Sequence, residues 1–496
     1  RLNFAAYSTR RDFFLTAIGA LDGFAGTVAG IVGGFDNIDS LTGTLALNDT
    51  LFGYDADATW ELDGSDHFIS TNPLAFTGFE ILQGSSGVDT FSVSGLRSYH
   101  ILRGGPGDDV VDLDSGASLT FATFGSVVGY ADGQNGNDTV SYARFTVGET
   151  VVINLPAEQA TGYINANAGS VGAVVNFESA IGGDNNDIFY SSSADNHFEG
   201  GAGNDLFIFD DNSGTDTITD LSGDDTFDFT RVTIPLTFTL GSVIVTGSGI
   251  TVIHTGNDIE HLLGGPQDDV FVFSVNGVQL ANGTGTIDGG GGINTLDYTA
   301  YTDPVSVNLL TGVATGTGGI ANIRNLIGGS GSDTLIGDAQ ANVLSGNGGD
   351  DFIDGGAGVD TLDESNATVA ISVDLSTTAP QASGRGTVTY QNIEYALTGS
   401  GNDTLTSGSA DNILRGGAGN DTYRFKDDWG ADTIADTSGS DTIDFSLATN
   451  GVTFNPAAFE VVEGANRLIY LGIEMLSGSA GADTFNLSGN QTYALR

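Results

Sequence analysis

No cysteine occurs in this chain of 496 residues, and lysine occurs once, at Lys426. The first absence excludes a disulfide framework, thiolate-held metals and a thiol nucleophile. Basic side chains are scarce altogether, 14 against 63 acidic ones, for a formal charge of −49. Such a charge opposes binding to nucleic acid or to an anionic membrane, resists compaction and invites cations. Catalytic signatures are missing too. No HExxH or GxSxG occurs, and the five histidines, His67, His100, His197, His254 and His261, are scattered. His254 and His261 flank Glu260, but a spacing of seven fits no helix face, so they read as a surface pair. No glycosidase-like carboxylate pair stands out from so many neighbours. The chain is expected not to be an enzyme.

What is abundant is glycine, with 75 residues, and aspartate, which outnumbers glutamate about fourfold. A merely solubilising acidic surface would use glutamate as readily; short carboxylates suit tight turns. The hydrophobic fraction of 39% is too high for a disordered acidic tail. The organising stretch is 328–363, four nonapeptides without a gap: GGSGSDTLI, GDAQANVLS, GNGGDDFID and GGAGVDTLD. Each opens on glycine, places Asp or Asn sixth and an apolar residue eighth. Glycine supplies the turn angles, and the flanked apolar residue suits a short, half-buried strand. Two nonapeptides make a coil of eighteen residues, which predicts Asp333 over Asp351 and Asn342 over Asp360. Carboxylates about 4 Å apart repel by ~1 kcal/mol in water and ~4 kcal/mol at an effective dielectric near 20, so the stack calls for a cation. Carboxylate and carbonyl oxygens are hard ligands that suit Ca2+ better than Mg2+ or a transition metal.

These four blocks resemble the GGxGxDxUx repeats of the repeats-in-toxin (hemolysin-type) calcium-binding family. The resemblance implies a parallel β-roll loaded with several Ca2+ ions. It also implies export by a type I route and likeness to surface-layer, filament or large adhesin proteins.

Internal repetition extends further. Segment 182–230 recurs as 398–446, with candidate ligands Asp187, Asn196, Asp205, Asp216 and Asp225 in the first copy and Asp403, Asn412, Asp421, Asp432 and Asp441 in the second. Both series step by nine, nine, eleven and nine, the mark of a duplicated unit widened at one place. An apolar residue followed by glutamate recurs nine places ahead of a turn aspartate, at Glu80, Glu178, Glu260, Glu394 and Glu474. These glutamates are either terminal ligands or solvent-facing edge residues, and Arg324 and His100 stand at the same place in two further copies. Asp109, Asp138 and Asp269 are further candidate ligands. The turns of Asp109 and Asp138 have no adjacent partner in frame and read as isolated, and Asn294 occupies the ligand place of another single turn.

The expected organisation is a strand-rich solenoid segment with isolated turns (1–181), a tandem calcium unit (182–230), a spacer (231–327), the four-nonapeptide roll (328–363), a spacer (364–397), the duplicate unit (398–446) and the start of a further spacer (447–496). Arg10 and Arg11 precede an apolar, glycine-rich run that imitates an export signal or membrane helix. Asp22 within it, and flanks that match the array, favour a solenoid coil. Both ends fall in mid-pattern, as expected of a section from a longer array. The fold class expected is all-β, a right-handed parallel β-roll or β-solenoid. The function expected is that of an extracellular, secreted structural protein that folds on Ca2+ and self-associates into a layer or filament, without nucleic acid or membrane insertion. The alternatives are an adhesin segment that binds a cell-surface glycan, and the non-catalytic calcium module of an exported enzyme.

Overall fold

The computed structural model describes residues 1–496 apart from 21–22, 45, 47, 100, 115–117, 122–129, 136, 145–150, 155–161, 167–169, 221, 242–243, 255–257, 437, 487–492 and 496. His100 thus lies outside the described residues. The chain forms two compact units, 1–234 with 242–266, and 235–241 with 267–496, so the 231–327 stretch contributes to both. Among the described residues there is no α-helix, and two 3-10 turns, Leu280–Gly283 and Pro456–Ala458, are the only helical segments.

In the second unit each nonapeptide ends in a three-residue strand: Thr334–Ile336, Val343–Ser345, Phe352–Asp354 and Thr361–Asp363. Side chains of a strand alternate in direction, so three residues place one side chain inward. Those residues, Leu335, Leu344, Ile353 and Leu362, are fully buried. Leu335 pairs with Ile353 and Leu344 with Leu362 in parallel register, so alternate nonapeptides build two ladders and the coil is eighteen residues long. One ladder continues through Tyr395–Leu397, Ile413–Arg415 and Ala431–Ala435. A ladder through Thr404–Thr406, Thr422–Arg424 and Thr442–Asp444 carries the duplicate unit. This is a parallel β-roll.

The first unit repeats the plan. Ser179–Ile181, His197–Glu199 and Gly214–Thr219 form one parallel ladder, and Ile188–Tyr190, Leu206–Ile208 and Thr226–Asp228 form another. Upstream, Ala58–Leu62, Asp89–Val93, Val110–Asp114 and Thr139–Arg144 run in parallel into Ser179–Ile181. The run after Arg11 forms strands Asp12–Ile18 and Phe24–Val28, paired antiparallel, the first also pairing in parallel with Thr50–Phe52. No helix of the described residues is long and apolar enough to cross a membrane.

The spacers are excursions from the coil. Ala58–Leu62 folds back on His67–Ile69, which pairs in turn with Pro73–Thr77; Ile244–Gly247 folds back on Ile250–His254, and Thr453–Asn455 on Glu460–Glu463. Such hairpins lengthen a coil in sequence while the parallel ladder runs past them. The interior is filled by the eighth-place residues and by stacked rings one coil apart: Phe189 on Phe207 at 4.9 Å, Phe209 on Phe229 at 4.5 Å, and Phe425 on Phe445 at 4.8 Å. Full burial of such a side chain stabilises by roughly 1.5–3 kcal/mol.

Candidate metal centres

The parallel ladders bring each sixth-place residue over its counterpart, and a specific hydrogen bond locks the pair. The backbone N–H of Asp333 donates to Asp351 Oδ1 at 2.9 Å, and that of Asn342 to Asp360 Oδ1 at 2.8 Å. In the first tandem unit Asp187 donates to Asp205 and Asp205 to Asp225, both at 2.7 Å, while Asn196 donates to Asp216 at 2.9 Å. The duplicate has the same bonds, Asp403 to Asp421 at 2.7 Å, Asp421 to Asp441 at 2.8 Å and Asn412 to Asp432 at 2.8 Å. All seventeen candidate side chains are at most 4% exposed.

The turns of Asp109 and Asp138 are not isolated, contrary to their sequence context. Asp89 N–H donates to Asp109 Oδ1 at 2.7 Å and Asp109 N–H to Asp138 Oδ1 at 2.8 Å, across 20 and 29 residues of chain. Asp269 is also stacked, receiving the N–H of Leu236 and donating its own to Asn294 Oδ1, each at 2.8 Å. The intervening excursions change the count along the chain, so a search for steps of nine misses these contacts. Asp49 and Asp89 belong to the columns as well; the five-residue step from Gly84 to Asp89, as in the tandem turns, was the available signal.

The five recurrent glutamates close the columns. Glu80, Glu178, Glu260, Glu394 and Glu474 accept through Oε2 the backbone N–H of Asp49, Asp138, Asp225, Asp360 and Asp441, at 2.8–3.1 Å. Each glutamate thus occupies the acceptor place that an aspartate Oδ1 holds inside a column. Four of them stand two residues after a left-handed residue: Gly78, Asn176, Asn392 and Gly472 have φ between 50° and 76°. Arg324 has the same lead, Asn322, but serves the column through its backbone, accepting Asn342 Nδ2 on its carbonyl at 2.8 Å.

The second carboxylate oxygen divides the turns. In Asp89, Asp187 and Asp333, Oδ2 accepts a backbone N–H of its own turn, from Ser85, Gly183 and Gly329, each at 2.7 Å. In Asp109, Asp138, Asp205, Asp216, Asp225, Asp360, Asp403 and Asp421, Oδ2 is buried with no donor. An unsatisfied buried acceptor costs about 1–3 kcal/mol, more when charged. Burial pushes Asp216 and Asp225 up to about 8, and Asp138, Asp205 and Asp421 to about 7, with backbone N–H donors opposing the shift and neighbouring carboxylates adding to it in most cases. Asp109, Asp351 and Asp360 rise to about 6 for the same leading reason.

In Asp109, Asp138, Asp205, Asp360 and Asp421 the orphaned oxygen rests on the glycine that opens the turn. A Cβ on Gly104 would lie 2.1 Å from Asp109 Oδ2, and one on Gly133 would lie 2.4 Å from Asp138 Oδ2 and 2.1 Å from the Asn176 carbonyl. Gly355 is placed likewise between Asp360 Oδ2 and the Asn392 carbonyl. Oxygens therefore converge there without a donor. Asn294 shows what such a cage accepts: its Nδ2 donates to the carbonyls of Gly289, Gly291 and Asn322, each at 2.8 Å. Where asparagine supplies a donor, the cage is satisfied. Where aspartate stands in its place without a donor, a proton or a hard cation must compensate it, and an all-oxygen, adaptable donor set fits Ca2+.

The family described as RTX calcium-binding nonapeptide repeat (4 copies) matches residues 101–119, 181–211, 327–362 and 394–424. These are RTX calcium-binding repeats. The matched RTX stretches hold Asp109, Asp187, Asn196, Asp205, Asp333, Asn342, Asp351, Asp360, Asp403, Asn412 and Asp421, and Ca2+ is their cofactor. Asp138, Asp216, Asp225, Asp269, Asp432 and Asp441 lie outside them and join the columns through the coil-to-coil bonds described above. No curated protein matches the chain. Among solved structures, the extracellular lipase LipA from Serratia marcescens aligns at 15% identity and a TM-score of 0.19, over 75% of this chain and 43% of that one. The chain thus spans less than half the length of that lipase.

Proposed function

We propose that this chain is a structural segment of an extracellular protein, exported by a type I route, that folds on Ca2+ and associates end to end or side by side into a surface layer or filament. The observation that carries the reading is the distribution of the RTX turns. Stacked carboxylates run along the ladders of both units, each bonded to the next coil, and are not gathered round one pocket. That pattern supports a metal that holds the scaffold together, in a chain that is not itself catalytic. Assembly needs the same ion, because chains of charge −49 repel until bound cations cancel the charge. Light scattering and electron microscopy with and without saturating Ca2+ test the proposal. Regular particles that grow on Ca2+ addition and dissolve in chelator are expected. A strictly monomeric particle at high concentration in saturating Ca2+ would overturn assembly and favour a glycan-binding adhesin segment.

A further inference from the structure

Both copies of the duplicated unit contain a carboxylate that the repeat pattern does not require. Asp220 stands five residues before Asp225, as Gly200 stands five before Asp205, so one turn opens on aspartate where the other opens on glycine. Asp436 holds the same place before Asp441. Ligand oxygens of Asp205, Asp220 and Asp225 lie within 4.8 Å of one another, and so do those of Asp421, Asp436 and Asp441. The nonapeptide at this point follows the eleven-residue step, and its opening carboxylate lies against Gly200 of the neighbouring coil.

A second observation points to a ligand. Asp205 is 1% exposed and Asp225 fully buried, and Oδ2 of each has no donor; the same holds for Asp421, 1% exposed. A Cβ on Gly200 would meet Asp205 Oδ2 at 2.4 Å and both Asp220 oxygens at 3.0 Å, so the two carboxylates converge over one glycine. Three anionic groups at this separation repel strongly in a buried setting. The copies differ in one support. In the second, the Tyr423 hydroxyl donates to Asp436 Oδ2 at 2.5 Å and accepts the Gly416 N–H at 2.6 Å; in the first, Phe207 stands in its place.

We propose that Asp205, Asp220 and Asp225, and likewise Asp421, Asp436 and Asp441, form two three-carboxylate cation sites that fill with Ca2+ before the other turns and also take a trivalent lanthanide. The proposal rests on the calcium reading of the RTX turns and goes beyond it, because ligand charge count sets affinity among oxygen sites. A turn such as that of Asp360, which opens on Gly355, has no such third carboxylate.

The test uses the full chain stripped by chelator and titrated with Ca2+ by calorimetry. The wild type is expected to show two tight equivalents. D220N and D436N should each weaken one of them by about tenfold or more, and the double variant both, while D360N keeps both. Terbium(III) gives an independent readout: emission excited through tyrosine by the first two equivalents should fall in Y423F with unchanged stoichiometry, because Tyr423 is bonded to a carboxylate of the second site and Phe207 stands at its place in the first. Circular dichroism in saturating Ca2+ checks the fold, and if D220N/D436N fails to fold, the Y423F result decides. A tight class untouched in the folded double variant, or terbium emission unchanged in Y423F, overturns the triads. Absence of any Ca2+ binding in the wild type would instead overturn the calcium reading itself.

Discussion

The backbone N–H of Asp225 donates to Glu260 Oε2 at 2.9 Å and so ends the column that descends from Asp187 through Asp205. In the duplicate, Glu474 ends the column of Asp403, Asp421 and Asp441 in the same way. Removing the acceptor leaves a donor on a fully buried residue. Glu260→Ala is therefore expected to lower stability in saturating Ca2+ by about 1–3 kcal/mol, with Glu260→Gln recovering most of it. Thermal and denaturant melts check this. No loss in Glu260→Ala would reduce these glutamates to solvated edge residues.

Asn294 offers a substitution in the opposite direction. Asn294→Asp removes the donor shared by the Gly289, Gly291 and Asn322 carbonyls and places a carboxylate oxygen there. One extra Ca2+ equivalent and a lower melting temperature in chelator are expected. If the stoichiometry stayed the same and the variant melted like the wild type without Ca2+, the asparagine would not be standing in for a cation.

Asp109→Ala and Asp351→Ala should cost similar stability, about 1–3 kcal/mol each, since both aspartates accept the N–H of a buried residue one coil away. Matched melts of the two variants in saturating Ca2+ are the measurement. A negligible effect of Asp109→Ala beside a large one of Asp351→Ala would mean that only gapless repeats create the coupling.

The pH dependence should reverse with metal. Burial raises Asp138, Asp205 and Asp421 to about 7 and Asp216 and Asp225 to about 8 in the metal-free fold. Folded values above the unfolded ones mean that their contribution is fully present below pH ~4 and is lost as pH rises through 7–8. The chelated protein should accordingly keep more β signal near pH 5 than near pH 8. Ca2+ needs the deprotonated carboxylates, so its affinity should climb over pH 6–8. Circular dichroism and Ca2+ titration across that range decide, and a metal-free chain equally folded at both ends would contradict the assignment.

The gapless nonapeptides determined the local geometry. With every coil of 328–363 eighteen residues long, Asp333 over Asp351 and Asn342 over Asp360 followed from counting, and the duplicate gave matched columns because its steps are identical. The hard-oxygen chemistry was legible for the same reason, since no cysteine and few histidines compete with the aspartates. Only the tertiary structure decided that Asp89, Asp109 and Asp138 form one column, because inserted loops and hairpins lengthen the chain between coils to 20, 29 or 40 residues without interrupting the stack. It also decided which carboxylates are left short of a donor. Asp333 and Asp205 hold the same place in the same motif, yet Gly329 N–H faces Oδ2 of the first and no donor faces that of the second. That difference lies in how a turn orients its amides against the neighbouring coil, and contacts of this kind are set by closure in space.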